Sequence, residues 1–360
     1  MIKMIADENI PHVTSAFAAL GDVVTLPGRK ITQADLIDSD ILLVRSVTTV
    51  NQALLEGTAV KFVATATSGT NHIDINYLNQ HNIVFADALG SNAMSVAQYV
   101  LSAISYWSLQ HQKSFNQLTV GIIGCGQVGS RLQHLCELFG MRTVIHDPPL
   151  ATKTNPANTN RWSDMDAVLA CDVISIHVPF NTTGPHATSN LISQKRIQQL
   201  KSGSLLINTS RGEVIDEEAL LNRLLNRSDL SLVLDVWRNE PNINLQLLAH
   251  TLIGTAHIAG YAFDGKIRGT QMIYQACCHY LNQPAVWSVD DLDLCEYPVQ
   301  VIDETDLNHL PQSLLSAYSI EADNLRLKQL LKPNQLNSHE FDGLRKNYPI
   351  RREWRLANKN

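Results

Sequence analysis

A strand, a glycine-rich turn and a helix follow one another over residues 118–139, and no other part of the sequence constrains the fold as strongly. The segment LTVGII at 118–123 is apolar and rich in β-branched residues, as expected of a buried parallel strand. The turn GCGQVG follows at 124–129, and apolar residues then recur at helical spacing up to Phe139. This order predicts an α/β domain built on a parallel sheet.

Each glycine of the turn has its own steric role. Gly124 allows a tight turn, Gly126 lets the backbone approach a pyrophosphate, and Gly129 lets the helix pack closely on the strand. The free N–H groups at the start of the helix, those of Gln127 and Val128 among them, would face the phosphates. Such glycine spacing occurs by chance in many chains, but its place between a strand and a helix predicts a dinucleotide-binding site.

An acidic residue ends the second predicted strand of this domain. The strand covers 143–146 and leads into Asp147, about 20 residues beyond the last glycine, where a carboxylate accepts hydrogen bonds from the adenosine ribose and repels a 2′-phosphate. Pro148 and Pro149 come next, and no arginine follows directly. The sequence therefore predicts NAD, not NADP, as the cofactor.

The composition argues against several classes of protein. A chain of 360 residues corresponds to about two or three domains, and a net charge of −6 argues against general binding to nucleic acid or to anionic membranes. The start, MIKMIADENI, is typical of a first strand and not of a signal peptide, and no uncharged apolar run has the length of a membrane span. We expect neither nucleic acid nor membrane as a partner.

The cysteines indicate a reducing compartment. They form no Cys-x-x-Cys pair and mostly lie in apolar segments, so we expect buried thiols, with no disulfide framework and no metal site. The predicted location is the cytoplasm. The six cysteines are Cys125, Cys136, Cys171, Cys277, Cys278 and Cys295.

Strand and helix signals also alternate before the glycine turn, which predicts a second parallel α/β domain. Predicted strands in that part are 2–6, 22–26, 41–44, 62–65 and 83–85. Later strands are predicted at 173–178, 204–208, 232–236 and 252–255. Long helices are predicted at 93–111 and at about 266–282, and a surface loop at 151–160.

Four segments resemble those of the NAD-dependent D-2-hydroxyacid dehydrogenase family, over roughly residues 1–285. They are GIIGCGQVG, INTSRGEVIDEEAL, LDVWRNEP and TAHIAGY. The resemblance implies an α/β protein with two doubly wound parallel-sheet domains. The expected flavodoxin-like substrate domain comprises 1–93 with 259–285, and the expected Rossmann NAD-binding domain comprises 94–258.

Further segments resemble, more narrowly, members of this family that oxidise a phosphorylated hydroxy acid. They are ADENIP, VRSVTTVN with TATSGTNHID, and FDGLRKNYPIRREW. The last segment lies beyond the general family fold. It implies a small C-terminal α+β dimerisation domain over 286–360, and therefore a homodimer.

A cation, a carboxylate and an imidazole follow three predicted strands of the glycine-loop domain. Oxidation of a secondary alcohol beside a carboxylate requires a base for the hydroxyl proton and a hydride acceptor. His257 is the predicted base, and Glu240 would hydrogen-bond its imidazole and orient it. Arg211 would hold the substrate carboxylate and polarise the C2 oxygen. Because the carboxyl ends of parallel strands converge, we expect these side chains to meet.

The other predicted contacts depend on the resemblance. It implies that Asp235 accepts a hydrogen bond from the nicotinamide carboxamide, and that Arg45 is the first choice for the substrate phosphate. Implied cofactor contacts are Val178, Thr209, Ser210, Asp235 and Gly260. Implied substrate contacts are Arg45, Ser46, Thr67 and Tyr261.

The chain departs from the family pattern at two positions, one of them an implied cofactor contact. Val178 stands where the family often has a threonine, so only its backbone can bond the cofactor. Gln98 stands where the helix at 93–111 commonly has a glutamate, and we expect little effect on the chemistry.

Five cations near the C-terminus leave two interpretations open. They form a solvated helix face or ion pairs across a dimer interface, or one or two of them reach the substrate phosphate. These cations are Arg345, Lys346, Arg351, Arg352 and Arg355.

Two other functions keep the same residues. One is a family member that acts on 3-phosphoglycerate or on an unphosphorylated 2-hydroxy acid, but the C-terminal segment does not resemble a regulatory amino-acid-binding module. The other is an NAD-sensing binding protein, against which the lack of long disordered flanks weighs.

Overall fold

A computed structural model describes residues 1–153, 161–292, 294, 296–330 and 338–357. The contacts divide the chain into two compact units. The N-terminal unit comprises Met1–Asn92 and Tyr261–Pro298, and the glycine-loop unit comprises Ala93–Gly260 and Val299–Asn360. Cys295 and most of the predicted loop at 151–160 lie outside the described residues.

The N-terminal unit is a five-stranded parallel sheet with helices. Its strands are β1 (Lys3–Asp7), β2 (Asp22–Leu26), β3 (Ile41–Val44), β4 (Phe62–Thr65) and β5 (Val84–Asp87). Its helices before residue 93 are α1 (Val13–Phe17), α2 (Gln33–Leu36), α3 (Gln52–Leu55) and α4 (Ile75–Gln80). The strand order β2-β1-β3-β4-β5 is the flavodoxin-like order, which reverses between β1 and β3.

Both faces of this sheet are covered, as expected of a parallel sheet. Met4 and Ala6 pack in one core cluster together with Tyr274 and Cys277 of the long helix at Phe263–Tyr280. Ile5, which lies between them, packs in a second cluster on the opposite face. Burial on both sides explains why these strands are continuous apolar runs in the sequence.

The glycine-loop unit contains a six-stranded parallel sheet of order β11-β10-β9-β8-β6-β7. Its strands are β6 (Thr119–Ile123), β7 (Arg142–His146), β8 (Val173–Ile176), β9 (Ser204–Asn208), β10 (Leu230–Leu234) and β11 (Ile253–Gly254). Its helices up to residue 260 are α5 (Ala93–Gln110), α6 (Gln127–Leu138), α7 (Pro148–Ala151), α8 (Met165–Leu169), α9 (Gln194–Gln199), α10 (Glu217–Arg227) and α11 (Leu245–Ala249). The order reverses at β6, so the glycine turn that follows β6 lies at the switch point where such sheets bind ligands.

The C-terminal part of the same unit is small and mixed. Its helices and strands are β12 (Val301–Ile302), α13 (Leu310–Ala317), α14 (Ile320–Lys328), α15 (Ser338–Lys346) and β13 (Arg355–Leu356), and they follow α12 (Phe263–Tyr280) of the N-terminal unit. It packs on the six-stranded sheet: the Gly254 N–H donates to Asn324 Oδ1 at 2.9 Å, and Lys328 Nζ donates to the Thr251 carbonyl at 2.7 Å.

The predicted architecture is confirmed: two parallel α/β sheets and a small C-terminal region are present. Most predicted strands agree with the structure to within one or two residues. The predicted strand at 252–255 is shorter, because only Ile253 and Gly254 pair with β10 before the chain turns towards other partners. Among the described residues, no helix is long and apolar enough to cross a membrane.

Candidate active site

The glycine turn has the geometry that a bound phosphate requires. Gly124 has a φ of +88°, and a Cβ there would lie 2.9 Å from the carbonyl carbon of His177. A Cβ at Gly129 would lie 2.0 Å from the Gly124 carbonyl oxygen, so helix α6 and the turn touch. At Gly126, by contrast, no described atom lies within 4 Å of an added Cβ. The backbone is therefore open at Gly126 and closed at the other two glycines.

The start of α6 also suits an anion. Gly126 is its N-cap and supplies no side-chain cap, so the first N–H groups of the helix are not satisfied by one. Asp147 holds the turn in place: Oδ2 accepts from the Cys125 N–H at 2.8 Å, and Oδ1 accepts from the Leu150 N–H at 3.0 Å. A helix start, an open glycine and a carboxylate at the end of β7 together fit a dinucleotide.

A neutral histidine lies beside this turn and was not among the predicted site residues. His177 Nε2 is 2.9 Å from Ser175 Oγ, and Nδ1 is 3.4 Å from Thr209 Oγ1. Burial lowers the pKa of His177 to about 3, so the ring is uncharged near neutral pH. Its position directly after β8 was the only sequence signal.

The loop after β9 is shaped by Asn208, another residue that the sequence did not single out. Its Oδ1 accepts from the N–H and from the hydroxyl of Ser210, at 3.0 and 2.8 Å. Its Nδ2 donates to the Arg211 carbonyl at 2.9 Å. Thr209 and Ser210, the predicted cofactor contacts, are thus held next to Arg211, whose Nη1 donates to the Ser210 carbonyl at 2.7 Å.

Gly212 brings the loops after β9 and β10 into contact. A Cβ at Gly212 would lie 2.0 Å from the carbonyl carbon of Trp237 and 2.2 Å from the nitrogen of Arg238. Only glycine permits this approach, because the clashing atoms are backbone. Arg211 is therefore next to the loop that carries Glu240.

His257 and Glu240 form a hydrogen-bonded pair. His257 Nδ1 lies 2.8 Å from Glu240 Oε2, and Glu240 Oε1 accepts from the Trp237 N–H at 2.9 Å. The two side chains are 33% and 20% exposed, respectively. Burial tends to raise the pKa of Glu240, but the charge and hydrogen bond of His257, the Trp237 N–H and the charge of Arg345 outweigh it, so the pKa is lowered. An ionised Glu240 that accepts from Nδ1–H leaves the lone pair of the neutral ring on Nε2.

The backbone of His257 is held in an uncommon conformation. Its φ is +56°, in the left-handed region, and its N–H donates to the Asp235 carbonyl at 2.7 Å. The buried Asp235 carboxylate accepts from the Ile258 N–H at 2.7 Å, from the Ala259 N–H at 3.0 Å and from Thr255 Oγ1 at 2.6 Å. Asp235 therefore shapes the His257 loop directly, and its expected contact with the carboxamide stays a prediction.

The predicted substrate residues of the N-terminal unit follow its strands. Arg45 and Ser46 come directly after β3, and Thr67 comes just after the neighbouring β4, so all three are at the carboxyl edge of that sheet. Thr67 Oγ1 is 2.9 Å from Thr65 Oγ1, which in turn is 3.0 Å from His72 Nε2. Burial lowers the pKa of His72 to about 4, so its ring is neutral near pH 7.

Two more of the predicted residues are next to the boundary of the units in sequence. Gly260 ends one segment of the glycine-loop unit, and Tyr261 begins one of the N-terminal unit. Tyr261 is half-buried, with Lys266 Nζ 4.8 Å from its ring centroid.

The five C-terminal cations are in different environments. Arg351 is not on a solvated face: its guanidinium lies over the ring of Tyr318 at 4.3 Å and donates to the Ala259 carbonyl. Arg345 pairs with Asp342 at 3.7 Å, and Arg355 is exposed. The interpretation as one solvated helix face is therefore wrong for Arg351.

Comparison with known proteins gives the class. A family model described as D-isomer specific 2-hydroxyacid dehydrogenase, NAD binding domain, matches residues 95–259, and one described as a domain of unknown function matches residues 297–358. The solved structure of an NAD⁺-bound 3-phosphoglycerate dehydrogenase from Entamoeba histolytica has a TM-score of 0.65 and 25% identity, over 81% of this chain and 99% of that chain. The fold is that of the NAD-dependent D-2-hydroxyacid dehydrogenases.

Curated relatives give the family within that class. Proteins named erythronate-4-phosphate dehydrogenase from Yersinia enterocolitica and Cellvibrio japonicus are 41% and 42% identical to the chain. Each match covers 98% of this chain and 93% of the relative. The chain belongs to the erythronate-4-phosphate dehydrogenase family.

Proposed function

We propose that the protein catalyses the NAD-dependent oxidation of 4-phospho-D-erythronate to 2-oxo-3-hydroxy-4-phosphobutanoate, a step of pyridoxal 5′-phosphate (vitamin B6) biosynthesis. The observation that carries this function is the 41–42% identity to curated erythronate-4-phosphate dehydrogenases over 98% of the chain, which includes the C-terminal part. The pairing of His257 with Glu240 supports this function, because it would give the reaction an oriented base.

The glycine-loop unit is proposed to hold NAD at the open backbone around Gly126 and the start of α6. Asp147 would bind the adenosine ribose, and the residues after β8, β9 and β10 would line the nicotinamide end. When bound, NAD supplies the acceptor for the hydride that leaves C2. The proposed contacts are Gly124, Gly126, Gln127, Val128, Gly129, Asp147, Val178, Thr209, Ser210, Asp235 and Gly260.

His257 is proposed to take the proton of the C2 hydroxyl. Glu240 occupies Nδ1, so the free lone pair on Nε2 is the acceptor. The imidazolium that forms lies 2.8 Å from an ionised carboxylate, which stabilises it. The oxidation balances in this way: the O–H proton goes to Nε2, the hydride leaves C2, and a C2 carbonyl forms.

Arg211 is proposed to bind the substrate carboxylate and the developing carbonyl oxygen. Its planar guanidinium presents paired N–H donors, which suit a carboxylate. The contact of Gly212 with the Trp237–Arg238 peptide holds the Arg211 loop beside the Glu240 loop. In the N-terminal unit, Arg45, Ser46, Thr67 and Tyr261 are proposed to bind the substrate, with Arg45 as the first choice for its phosphate.

A related dehydrogenase activity is the second candidate. The likeness to a 3-phosphoglycerate dehydrogenase structure makes 3-phosphoglycerate a candidate substrate. The sequence identity to that structure, 25%, is well below the identity to the curated relatives. An NAD sensor without turnover would keep the same fold and pair. Turnover of a panel of acids distinguishes the related dehydrogenase and the NAD sensor from the proposed function.

The assembly and location are also proposals. A homodimer, built by a C-terminal domain over 286–360, is supported by the family resemblance, and the domain boundaries given above are part of the same proposal. The cytoplasm is supported by the buried free thiols of Cys125, Cys136, Cys171, Cys277 and Cys278. Sedimentation of the full chain over a range of concentrations tests the dimer, because a single monomeric species at every concentration contradicts it.

The test of function is NADH absorbance after the pure protein is mixed with NAD and one acid of a panel. The acids are 4-phosphoerythronate, 3-phosphoglycerate, D-lactate and D-glycerate, with a 2-oxo acid added in parallel wells in case NADH stays bound. Selective oxidation of 4-phosphoerythronate is the expected result. Preference for another acid would agree with the proposed mechanism but contradict 4-phosphoerythronate as the substrate. No turnover with intact NAD binding would favour a sensor.

A further inference from the structure

The C-terminal part of the chain reaches the loop that carries His257, and Arg351 makes the contact. Arg351 Nη2 donates to the carbonyl oxygen of Ala259, two residues beyond His257. Arg351 Nη1 is also buried and has no hydrogen-bond partner among the described residues. The Ala259 carbonyl is thus the point at which this guanidinium contacts the His257 loop.

Arg351 is itself held in place by aromatic rings. Its guanidinium carbon lies 4.3 Å from the ring centroid of Tyr318 and 5.8 Å from that of Tyr348, both within the range of cation–π attraction. The hydroxyls of both tyrosines donate to the same oxygen of Asp323, each at 2.7 Å. This aromatic cluster fixes the position from which Arg351 reaches Ala259.

The segment around Arg351 is anchored to helix α5. The Gln98 side chain pairs with the backbone of Trp354: Nε2 donates to its carbonyl at 2.9 Å, and Oε1 accepts from its N–H at 3.1 Å. Next to this pair, Ser95 Oγ donates to Glu353 Oε1 at 2.6 Å. All four of these residues are buried. Arg351 is thus three residues from a firmly docked point of the same unit.

The other side of the His257 loop is held by Asp235. Its carboxylate accepts from the N–H groups of Ile258 and Ala259, and Arg351 donates to the carbonyl of Ala259. Both backbone polar groups of Ala259 are therefore fixed, from two different parts of the unit. A non-glycine residue keeps a left-handed φ, as His257 does, only where its surroundings over-determine it.

We propose that Arg351 is a positioning residue for His257, which it fixes through the Ala259 carbonyl opposite Asp235. The C-terminal part then contributes to the chemical step and not only to assembly. This inference rests on the proposed function, in which His257 is the base. Loss of the contact would let the imidazole move relative to the substrate, and a misplacement of about 1 Å costs roughly 100-fold in rate.

The test compares Arg351→Met and Arg351→Lys in the full-length protein, each in the parent and in a His257→Ala background. In the parent, Arg351→Met should lower kcat with 4-phosphoerythronate about 100-fold while the Kd for NAD stays the same. Arg351→Lys should recover part of the rate, because an ammonium can still donate to the Ala259 carbonyl. In the His257→Ala background, Arg351→Met should add little to the loss, because residues that act as one unit are not additive.

Arg227→Gln is the matched control. It removes an arginine charge from the same unit, at an exposed side chain that pairs with Asp229, and should leave kcat unchanged. An active parent with an unaffected Arg351→Met variant would overturn the positioning role alone, as would an equal loss in both backgrounds. A parent inactive on every acid of the panel would overturn the proposed function as well.

If Arg351→Met does not fold by circular dichroism, the Arg351→Lys variant decides. A Lys variant that matches the parent in thermal stability and NAD affinity but has a lower kcat supports the role. An unchanged kcat overturns it.

Discussion

His257 Nδ1 lies 2.8 Å from Glu240 Oε2, and the two residues come from loops that follow neighbouring strands, β11 and β10. The pair leaves Nε2 as the acceptor for a substrate proton. We therefore expect His257→Ala to lower kcat by about 10²- to 10⁴-fold, the usual contribution of a general base. The measurement is kcat with 4-phosphoerythronate together with the Kd for NAD, which should not change. Full activity of the variant would remove His257 from the role of base.

Glu240→Gln tests the orientation of the imidazole. The amide oxygen can still accept from the Trp237 N–H, but the amide N–H₂ then faces His257 Nδ1 and favours the tautomer that carries its proton on Nε2. That tautomer cannot act as a base, so kcat should fall by about 10²- to 10⁴-fold with little change in thermal stability. Glu218→Gln, on the exposed side of α10, is the control and should keep the parent rate. Equal rates for both variants would contradict the pairing as a catalytic contact.

Asp147→Asn tests the choice of cofactor. The change removes the charge that repels a 2′-phosphate while it keeps one acceptor for the Cys125 or Leu150 N–H. The ratio of kcat/KM with NADP to that with NAD should rise about 10-fold, which corresponds to roughly 1.4 kcal/mol. Asp164→Asn changes a second helix N-cap acid of the same unit and should leave the ratio as it was. An unchanged ratio in Asp147→Asn would place ribose recognition elsewhere.

Gln98→Glu tests the docking of the C-terminal segment. A carboxylate can accept from the Trp354 N–H but cannot donate to its carbonyl, so two buried acceptors would face each other. We expect a loss of about 1–3 kcal/mol in the free energy of unfolding, measured by urea denaturation at pH 8. Gln246→Glu, at an exposed position on α11, should change it by less than about 0.5 kcal/mol. Equal stability of the two variants would show that the pairing contributes nothing.

The half-buried His177 makes the free energy of unfolding depend on pH. The pKa of His177 in the folded protein, about 3, is below that of an unfolded histidine, about 6.5. Between these two pH values the unfolded chain therefore binds more protons than the folded one. The free energy of unfolding falls as the pH drops below 6.5. At pH 5 the loss from this residue alone is about 2 kcal/mol. His177→Asn should flatten the fall in urea-unfolding free energy between pH 7 and pH 5, and the exposed His186→Asn should not. Parallel curves for the parent and His177→Asn would contradict this assignment.

The strands could be predicted because each is buried on both faces and so forms an unbroken apolar run. The three glycines of the turn could be predicted because their spacing reflects steric needs of one local structure. His257 and Glu240 were identified from their place after strands and from a family resemblance, and their contact needs only that the ends of β10 and β11 be adjacent.

The residues that the sequence did not reveal act through backbone atoms of distant segments. Asn208 shapes its loop by bonds to main-chain groups. Asp235 was predicted as a cofactor contact, but its bonds to amides more than 20 residues away along the chain were not. Such contacts leave no periodic pattern and require no fixed partner type. Gln98 looked unimportant for the same reason, because its partner is the peptide backbone of Trp354.

The pairing of Gln98 with Trp354 also has a consequence for biosynthesis. The two residues are 256 positions apart, so a ribosome that adds about 5–20 residues per second needs roughly 10–50 s to make the second after the first. The last strand of the two sheets, β11, ends at Gly254, and Gln98 still lacks its partner when that strand has been made. A nascent chain therefore leaves the amide of Gln98 unpaired with Trp354 until late in translation, and products released early by a premature stop codon would expose that part of α5 to chaperones and proteases.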